Sequence, residues 1–334
     1  MKQGSHGCDE AYAVLLKKKV QDGLAAFFDK LLNCVPDFLG CRWVLIMNGG
    51  AKMERLIITD STADIPDELV NRYGIKVMPV NLVLNGKNYR DGLDISRTDF
   101  YDTFDTFAQM ASGPISYEDY GLEFLQLSQR YHEIIIIHCS RHLSETYNTA
   151  IKVIQEFGDS GRKIEVMDSG QCSMGLGMIV LAAAEAMQEG MSFERVVAVA
   201  DRTRKKMHSY MAIPTLKYLK KNKKIGGAKA LLGSAMGVKP VLEMSQGKMV
   251  IKSKLFGEQK NMILAMMESI KEDIRGRPIT LSIIYAGNQS LVENLKAVFQ
   301  SSFECKKIYV ARFSPSIAIN TGPESYAVFF TAHD

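Results

Sequence analysis

From residue 53 onward, short apolar runs alternate with longer stretches in which apolar residues recur at three- and four-residue steps. That order predicts a parallel α/β sheet with crossover helices. Leu56–Thr59, Ile75–Leu82, Ile134–His138 and Ile164–Met167 are rich in β-branched residues and are expected to be buried strands. The expected helices between them are Pro66–Tyr73, Thr98–Phe107, Tyr117–Gln129 and Leu143–Phe157. Ser116, with Asp119 three residues on, resembles a capping box for the third of these. The glycine-rich stretch Ser173-Met174-Gly175-Leu176-Gly177 leads into a helix ending near Gly190 that is placed to connect two domains.

The second half continues in the same style behind a helix, Phe193–His208, capped by Ser192. Strands are expected near Tyr210–Ile213, Val238–Glu243, Lys248–Leu255, Leu281–Tyr285, Lys307–Ala311 and Ala327–Thr331. Helices near Thr215–Lys221, Ala228–Met236, Glu258–Ile274 and Leu291–Phe299 separate them. The fold class is therefore α/β, divided into a first domain over 53–170 and a second over 171–334.

Residues 1–52 read differently. Glu10–Leu32 has helical periodicity, while the stretch to Met47 has no clear period and holds the only tryptophan, Trp43. One reading is an extra helix docked on the main body. The sharper expectation is that Met53 is the natural start, because Met53-Glu54 leads straight into a strand. Codons for Gly49-Gly50 can also form a purine-rich ribosome-binding sequence just upstream. On that reading the extension is not natively translated.

Composition narrows the classes. A chain of 334 residues that is 46% hydrophobic and 23% charged is folded, not disordered. Its net charge of +4, from 41 basic and 37 acidic residues, is too weak to argue for a nucleic-acid surface. No apolar run reaches the roughly 18 residues of a spanning helix. The apolar stretch Ala11–Leu16 is short for a secretory signal and runs into Lys17, Lys18 and Lys19. Six cysteines without CxxC spacing read as reduced thiols, so a cytoplasmic location is expected.

Several chemistries are missing from the pattern. There is no GxSxG elbow, no GxxxxGK[ST] phosphate loop and no HExxH helix. Gly233–Gly237 lacks the Lys-Ser/Thr that would follow, and Gly175/Gly177 lacks the third glycine of a dinucleotide fingerprint, so both read as close-packing glycines. The six histidines are not spaced as metal ligands, and neither metal nor cofactor is expected.

What remains is a set of hydroxyl-rich turns after predicted strands, where open α/β sheets usually bind ligands. They are Asp60-Ser61-Thr62, Ser112-Gly113-Pro114 and the run Ser140-Arg141-His142-Leu143-Ser144-Glu145-Thr146. Such hydroxyls either cap helices or, with free N–H groups, hold an anion. A stand-alone enzyme acting on a small phosphorylated or carboxylated substrate, with Asp60 or Asp168 as acid or base, is a second reading of the same turns.

At these residues the chain resembles the DegV family of bacterial fatty-acid-binding proteins. The motifs are Ile58-Thr-Asp-Ser-Thr-Ala-Asp-Ile-Pro66, Tyr73-Gly-Ile-Lys-Val-Met-Pro-Val80, Tyr89-Arg-Asp-Gly92, Ser112-Gly-Pro114, Ser140-Arg-His-Leu-Ser-Glu-Thr-Tyr147 and Val166-Met-Asp-Ser169. Tyr218-Leu219 before Lys223-Lys-Ile225, then Lys239-Pro240 and Thr321-Gly-Pro323, continue the series. The resemblance runs from about Leu56 to the C-terminus.

It implies two α/β domains, with a parallel sheet in the first, a mixed sheet in the second and one long-chain fatty acid between them. It also implies a non-catalytic role, in which the fatty acid's carboxylate is offered to a separate ATP-binding kinase subunit after transient membrane contact. Ser112 matches the family's head-group serine and Ser140 the serine after the central strand, with Ser144 and Thr146 in support. Asn320 stands where members often carry histidine, Arg141 where a second serine is common and Glu145 where glycine is common. Ala111-Ser112-Gly113-Pro114 replaces a frequent Thr-Ser-Gln-Pro and so loses one hydroxyl. Lys224 replaces a usual arginine.

The basic cluster around Lys221, Lys223 and Lys224 is either a solvated helix end or a docking patch for the kinase. The eighteen methionines suit an adaptable lipid tunnel as well as ordinary core. A diverged lipid carrier or sensor without kinase coupling is a further reading.

Overall fold

In the computed structural model, the residues described are 54–158, 161–215, 217–222, 239–256, 258–287 and 289–333. The extension 1–52, Lys223, Lys224 and the helix expected over Ala228–Met236 lie outside them.

The first sheet has the order β2-β1-β6-β7, from Lys76–Met78, Arg55–Asp60, Glu133–His138 and Lys163–Asp168, and every pair is parallel. Its two central strands explain why. β6, Glu-Ile-Ile-Ile-Ile-His, is buried at every position, as strands covered on both faces must be. Leu56, Ile58, Ile134 and Ile136 face Tyr120 and Phe124 of α3 (Tyr117–Ser128) and Ala150 and Val153 of α4 (Thr146–Phe157). The alternate residues Ile57, Ile135 and Ile137 face α5 (Ser173–Gln188) instead. Asp67–Tyr73 and Arg97–Asp102 form α1 and α2.

Strand β3 (Asn81–Leu84) lies between β4 (Lys87–Arg90) and β5 (Met110–Gly113) in a three-stranded antiparallel sheet that the apolar pattern does not predict. The expected single strand over Ile75–Leu82 is split at Pro79-Val80, where proline removes a ladder donor. Asn85 and Gly86 then turn the chain with φ of 48° and 78°, the signature of a tight hairpin. Ser112 accordingly sits in a strand opposite Leu82, not in a turn before a helix.

The second large sheet runs β10-β9-β8-β13-β11-β12. Its strands are Lys248–Leu255, Lys239–Ser245, Met207–Ala212, Tyr326–Ala332, Ile279–Tyr285 and Cys305–Arg312. Only the β11–β12 pair is parallel, so the sheet is mixed. α8 (Gln259–Ile274) and α9 (Gln289–Ser302) cover one face through Met262, Met266, Ile270, Leu295 and Phe299. Helix α6 (Phe193–Lys205) is shorter than its periodicity suggests, because Met207 and His208 already belong to β8.

Helix α5 lies between the two large sheets and is buried around most of its circumference, which suits its run of small and apolar residues. A Cβ on Gly177 would stand 2.5 Å from Ala63 O, and one on Gly175 would stand 2.7 Å from the Phe329 ring. These glycines let the helix approach both halves closely. Two short helices, α7 (Lys217–Lys221) and α10 (Pro315–Thr321), pack on each other beside β5. α10 carries no clear helical period in sequence and was not expected.

Candidate functional site

A cavity of about 60 Å³ opens where β5, α10, the turn after β1 and the loop after β6 meet. Val80, Leu143, Met211, Leu219, Met249 and Ile317 supply apolar wall, and Cys139 and Cys172 present thiols. Burial pushes the Cys172 thiol up to about 12, assisted by the charges of Asp64 and Asp60, so it stays protonated. Thr62, Ser112, Ser144, Ser316, Asn320 and Thr321 line the same space. A smaller void of about 10 Å³, lined by Ser209, Leu242, Glu243, Met244 and Phe329, shares Met211 and Met249 with it. Two flexible thioethers therefore line both spaces.

The polar residues are held in a defined order. Asn320 Nδ2 donates to Ser316 O at 2.7 Å and to Ser112 Oγ at 3.0 Å. Thr62 Oγ1 donates to Asp60 Oδ1, which also accepts the Thr62 N–H at 3.1 Å. Behind Thr62, His138 Nδ1 lies 2.8 Å from Asp60 Oδ2, and Tyr120 Oη lies 2.8 Å from His138 Nε2. Burial alone would push the Asp60 carboxyl up, but the bonds from His138, Thr62 and Cys139 N–H outweigh it and hold it below its ordinary value.

Helix α10 is fixed by two further buried carboxylates. Asp64 accepts Ser314 N–H at 2.8 Å and Ser173 Oγ–H at 2.6 Å. Asp91 accepts Ser316 N–H at 3.3 Å and Ser61 Oγ–H at 3.1 Å. Burial raises both to about 6, and for Asp91 the neighbouring Asp64 charge adds to the effect.

The sequence-predicted residues divide between wall and frame. Ser112, Ser144 and Asn320 share the cavity. Ser140 is fully buried outside its lining, donating to Gly247 O at 2.6 Å in the β9–β10 turn. Thr146 is also fully buried; its Oγ1 accepts Ile115 N–H at 3.3 Å and lies 3.1 Å from Ser144 Oγ. Lys221 donates to Ala108 O at 3.2 Å from the exposed end of α7. Thr62 and Ser316 were missed as lining residues; the hydroxyl-rich turn containing Thr62 was a usable signal, whereas nothing local marked Ser316.

The two aspartates of the enzyme reading are both engaged. Asp60 holds Thr62 and His138, while Asp168 accepts from Arg141 Nε at 2.6 Å and Gly170 N–H at 2.9 Å. Arg141 thus pairs with Asp168 and lies over the Tyr147 ring, 4.9 Å from its centroid.

A larger cleft of about 800 Å³ lies beside the first sheet. Its walls include Asp64, Asp67, Asp91, Arg90, Arg97 and Arg312, so an acyl chain there would lie against charged groups. Among the described residues, no group of three or more His, Cys, Asp or Glu side chains is disposed to hold a metal, and no helix is long and apolar enough to cross a membrane.

Parallel and mixed sheets packed through a shared helix, with a largely apolar cavity edged by hydroxyls between them, define an α/β protein of two sheet layers. The chain belongs to the DegV family: a profile described as an uncharacterised protein of that family matches residues 55–333. A DegV domain-containing protein of Caldanaerobacter subterraneus is 29% identical over 281 residues, which cover 83% of this chain and 99% of that one. Another from Clostridium perfringens is 32% identical over 235 residues, covering 68% and 81%. A Thermus thermophilus DegV protein described for its fatty acid binding superposes with a TM-score of 0.77 at 30% identity, over 84% of this chain and all of that one. A stearic-acid-binding protein of Eubacterium ventriosum, at 20% identity, shares the fold with a TM-score of 0.75 over 84% and 98% of the two chains.

Proposed function

We propose that this protein binds a long-chain fatty acid in the cavity between its two lobes and presents the carboxyl group to a separate ATP-binding kinase subunit. The carrying observation is one space that joins an uncharged, largely aliphatic wall to the hydroxyl and amide pair Ser112 and Asn320. Each buried methylene contributes roughly 0.8 kcal/mol, so the acyl chain supplies most of the affinity. The head, costly to bury without partners, is met by Ser112 and Asn320 with Ser144 beside them, while Ser140 and Thr146 hold the frame. The fatty acid binding of the Thermus thermophilus relative supports this reading.

On this reading the lobes are 53–170 and 171–334, and the protein works in a bacterial cytoplasm with transient membrane contact. No cofactor takes part. Lys221, with Lys223 and Lys224 following it in sequence, contributes a basic docking patch for the kinase. Native mass spectrometry of protein purified from a bacterial host is expected to show a co-bound fatty acid. A lipid-free mass, with nothing recovered by solvent extraction, would overturn the proposal. Incubation of the loaded protein with a family kinase subunit and ATP tests the second half; acyl phosphate is the expected product.

A further inference from the structure

The hydrogen-bond roles at the polar end of the cavity are fixed by their neighbours. Ser316 O can only accept, so the Asn320 atom 2.7 Å away is the amide nitrogen, and Oδ1 is the other one. That Oδ1 is buried and has no hydrogen-bond partner. It is an unused acceptor in a residue that lines the cavity. Ser112 Oγ accepts from Asn320 Nδ2, which leaves its own hydrogen to give. Thr62 has spent its hydrogen on Asp60 and offers only lone pairs. The end wall therefore offers Ser112 as a donor with a free hydrogen beside the acceptors Asn320 Oδ1 and Thr62 Oγ1, while Ser144 and Ser316 are each engaged with a neighbouring hydroxyl.

A carboxylate can only accept, and two acceptors would repel it. An un-ionised carboxylic acid carries one O–H donor and one C=O acceptor, which complements this set. Charge points the same way. Among the described residues, no Lys, Arg or His lines the cavity. Asp60 stands behind Thr62 and Asp91 behind Ser316.

Resting on the fatty-acid reading above, we propose that this site selects the neutral carboxylic acid over its carboxylate, with Asn320 Oδ1 as the residue atom that sets the preference. A neutral head also lowers the desolvation cost of carrying the lipid in a buried site. The kinase partner would then have to remove the acid proton before phosphoryl transfer.

The test compares dodecanoic acid with dodecanamide, a head that offers donor and acceptor at every pH. The charged and titratable groups around the site are Asp60 with His138 behind Thr62, Asp64 and Asp91 at α10, Arg97 and Tyr101 on α2, Arg312, Tyr218 and Lys221 on α7, and the two thiols. Charge on Asp64 or Asp91, whose carboxyls burial pushes up to about 6, acts on a carboxylate more than on an amide; both carboxyls remain in Asn320→His, so a fall in the ratio caused by them would persist in that variant. With an ordinary carboxyl pKa, the neutral fraction of the free acid falls tenfold per pH unit, or about 100-fold between about pH 6 and pH 8.

The acid-to-amide affinity ratio is expected to fall by at least about 30-fold across that range. A smaller change overturns the inference while leaving fatty-acid binding intact. Failure of both probes to bind at either pH would instead overturn the proposed function and this inference with it. Asn320→His removes Oδ1 and supplies a chargeable donor. It is expected to bring the change below about tenfold, and a ratio that still falls as in the unsubstituted protein would refute the role given to Asn320.

Discussion

Asn320 and Ser112, 208 residues apart, meet through a 3.0 Å hydrogen bond from the amide of α10 to the hydroxyl of β5. The bond joins the two lobes at the point where the lipid head is expected. Asn320 keeps its second bond, to Ser316 O, without Ser112. Ser112→Ala should therefore leave the fold in place and remove one donor to the head. A net hydrogen bond of about 0.5–1.5 kcal/mol corresponds to a loss of roughly two- to tenfold in fatty-acid affinity. Displacement of a fluorescent fatty acid measures it, and unchanged affinity would remove Ser112 from the site.

Ser140 should behave in the opposite way. Its hydroxyl ties the loop after β6 to the β9–β10 turn, where Gly247 adopts φ of 77° and a Cβ would stand 2.9 Å from Ser140 Oγ. Ser140→Ala is expected to cost about 1 kcal/mol of stability. Gly247→Ala should cost more, because it adds backbone strain to the clash. Urea unfolding reads both. A large affinity loss from Ser140→Ala with unchanged stability would return the residue to the head-group set.

Asp64 and Asp91 give the stability a pH dependence of unusual sign. Both carboxyls are raised by burial to about 6, above the roughly 3.9 of an unfolded chain, so the folded state binds protons more tightly. Stability from these groups is full below about pH 4, declines as pH rises to about 6, and is flat beyond. Asp60 acts in reverse: its lowered carboxyl favours the fold above its unfolded value, and that share is lost on acidification. Asp64→Asn should flatten the decline and raise stability at about pH 7.5 by up to about 3 kcal/mol. Denaturant curves at about pH 5 and 7.5 decide it, and a less stable variant at the higher pH would show that the charge is needed.

Met249 and Met211 line both the main cavity and the void beside Phe329. A thioether can turn aside for a long chain, whereas a ring cannot. Met249→Phe is expected to spare short acyl chains and penalise long ones. If four methylenes are excluded, the penalty is about 3 kcal/mol, or roughly 100-fold. A competition series of saturated acids measures the cut-off, and a uniform loss at every length would remove the passage.

The parallel sheet was legible because β1 and β6 are continuous β-branched runs, and continuous burial leaves few alternatives for such segments. The mixed sheet was legible strand by strand, though its order depends on contacts far apart in sequence. The three-stranded sheet was hidden because Met110-Ala-Ser-Gly113 has neither alternation nor β-branching; Asn85-Gly86 was the readable sign of its hairpin. Ser112, Ser144 and Asn320 were recognisable from motifs. Ser140 and Thr146 share their motif with Ser144, and only packing separates a hydroxyl that faces a cavity from one spent on a neighbouring main chain. The Asp60–His138–Tyr120 chain could not be read, since its members come from three separate elements.

The placement of α10 also bears on how the protein is made. Synthesis proceeds from the N-terminus, so β5 and Ser112 leave the ribosome long before Pro315–Thr321 is translated. Until then the pocket lacks Ile317, Asn320 and the carboxamide that braces Ser112. On the fatty-acid reading, loading waits for the whole polypeptide, and a product arrested before Pro315 is expected to compete for no fatty acid, whatever else of it has folded.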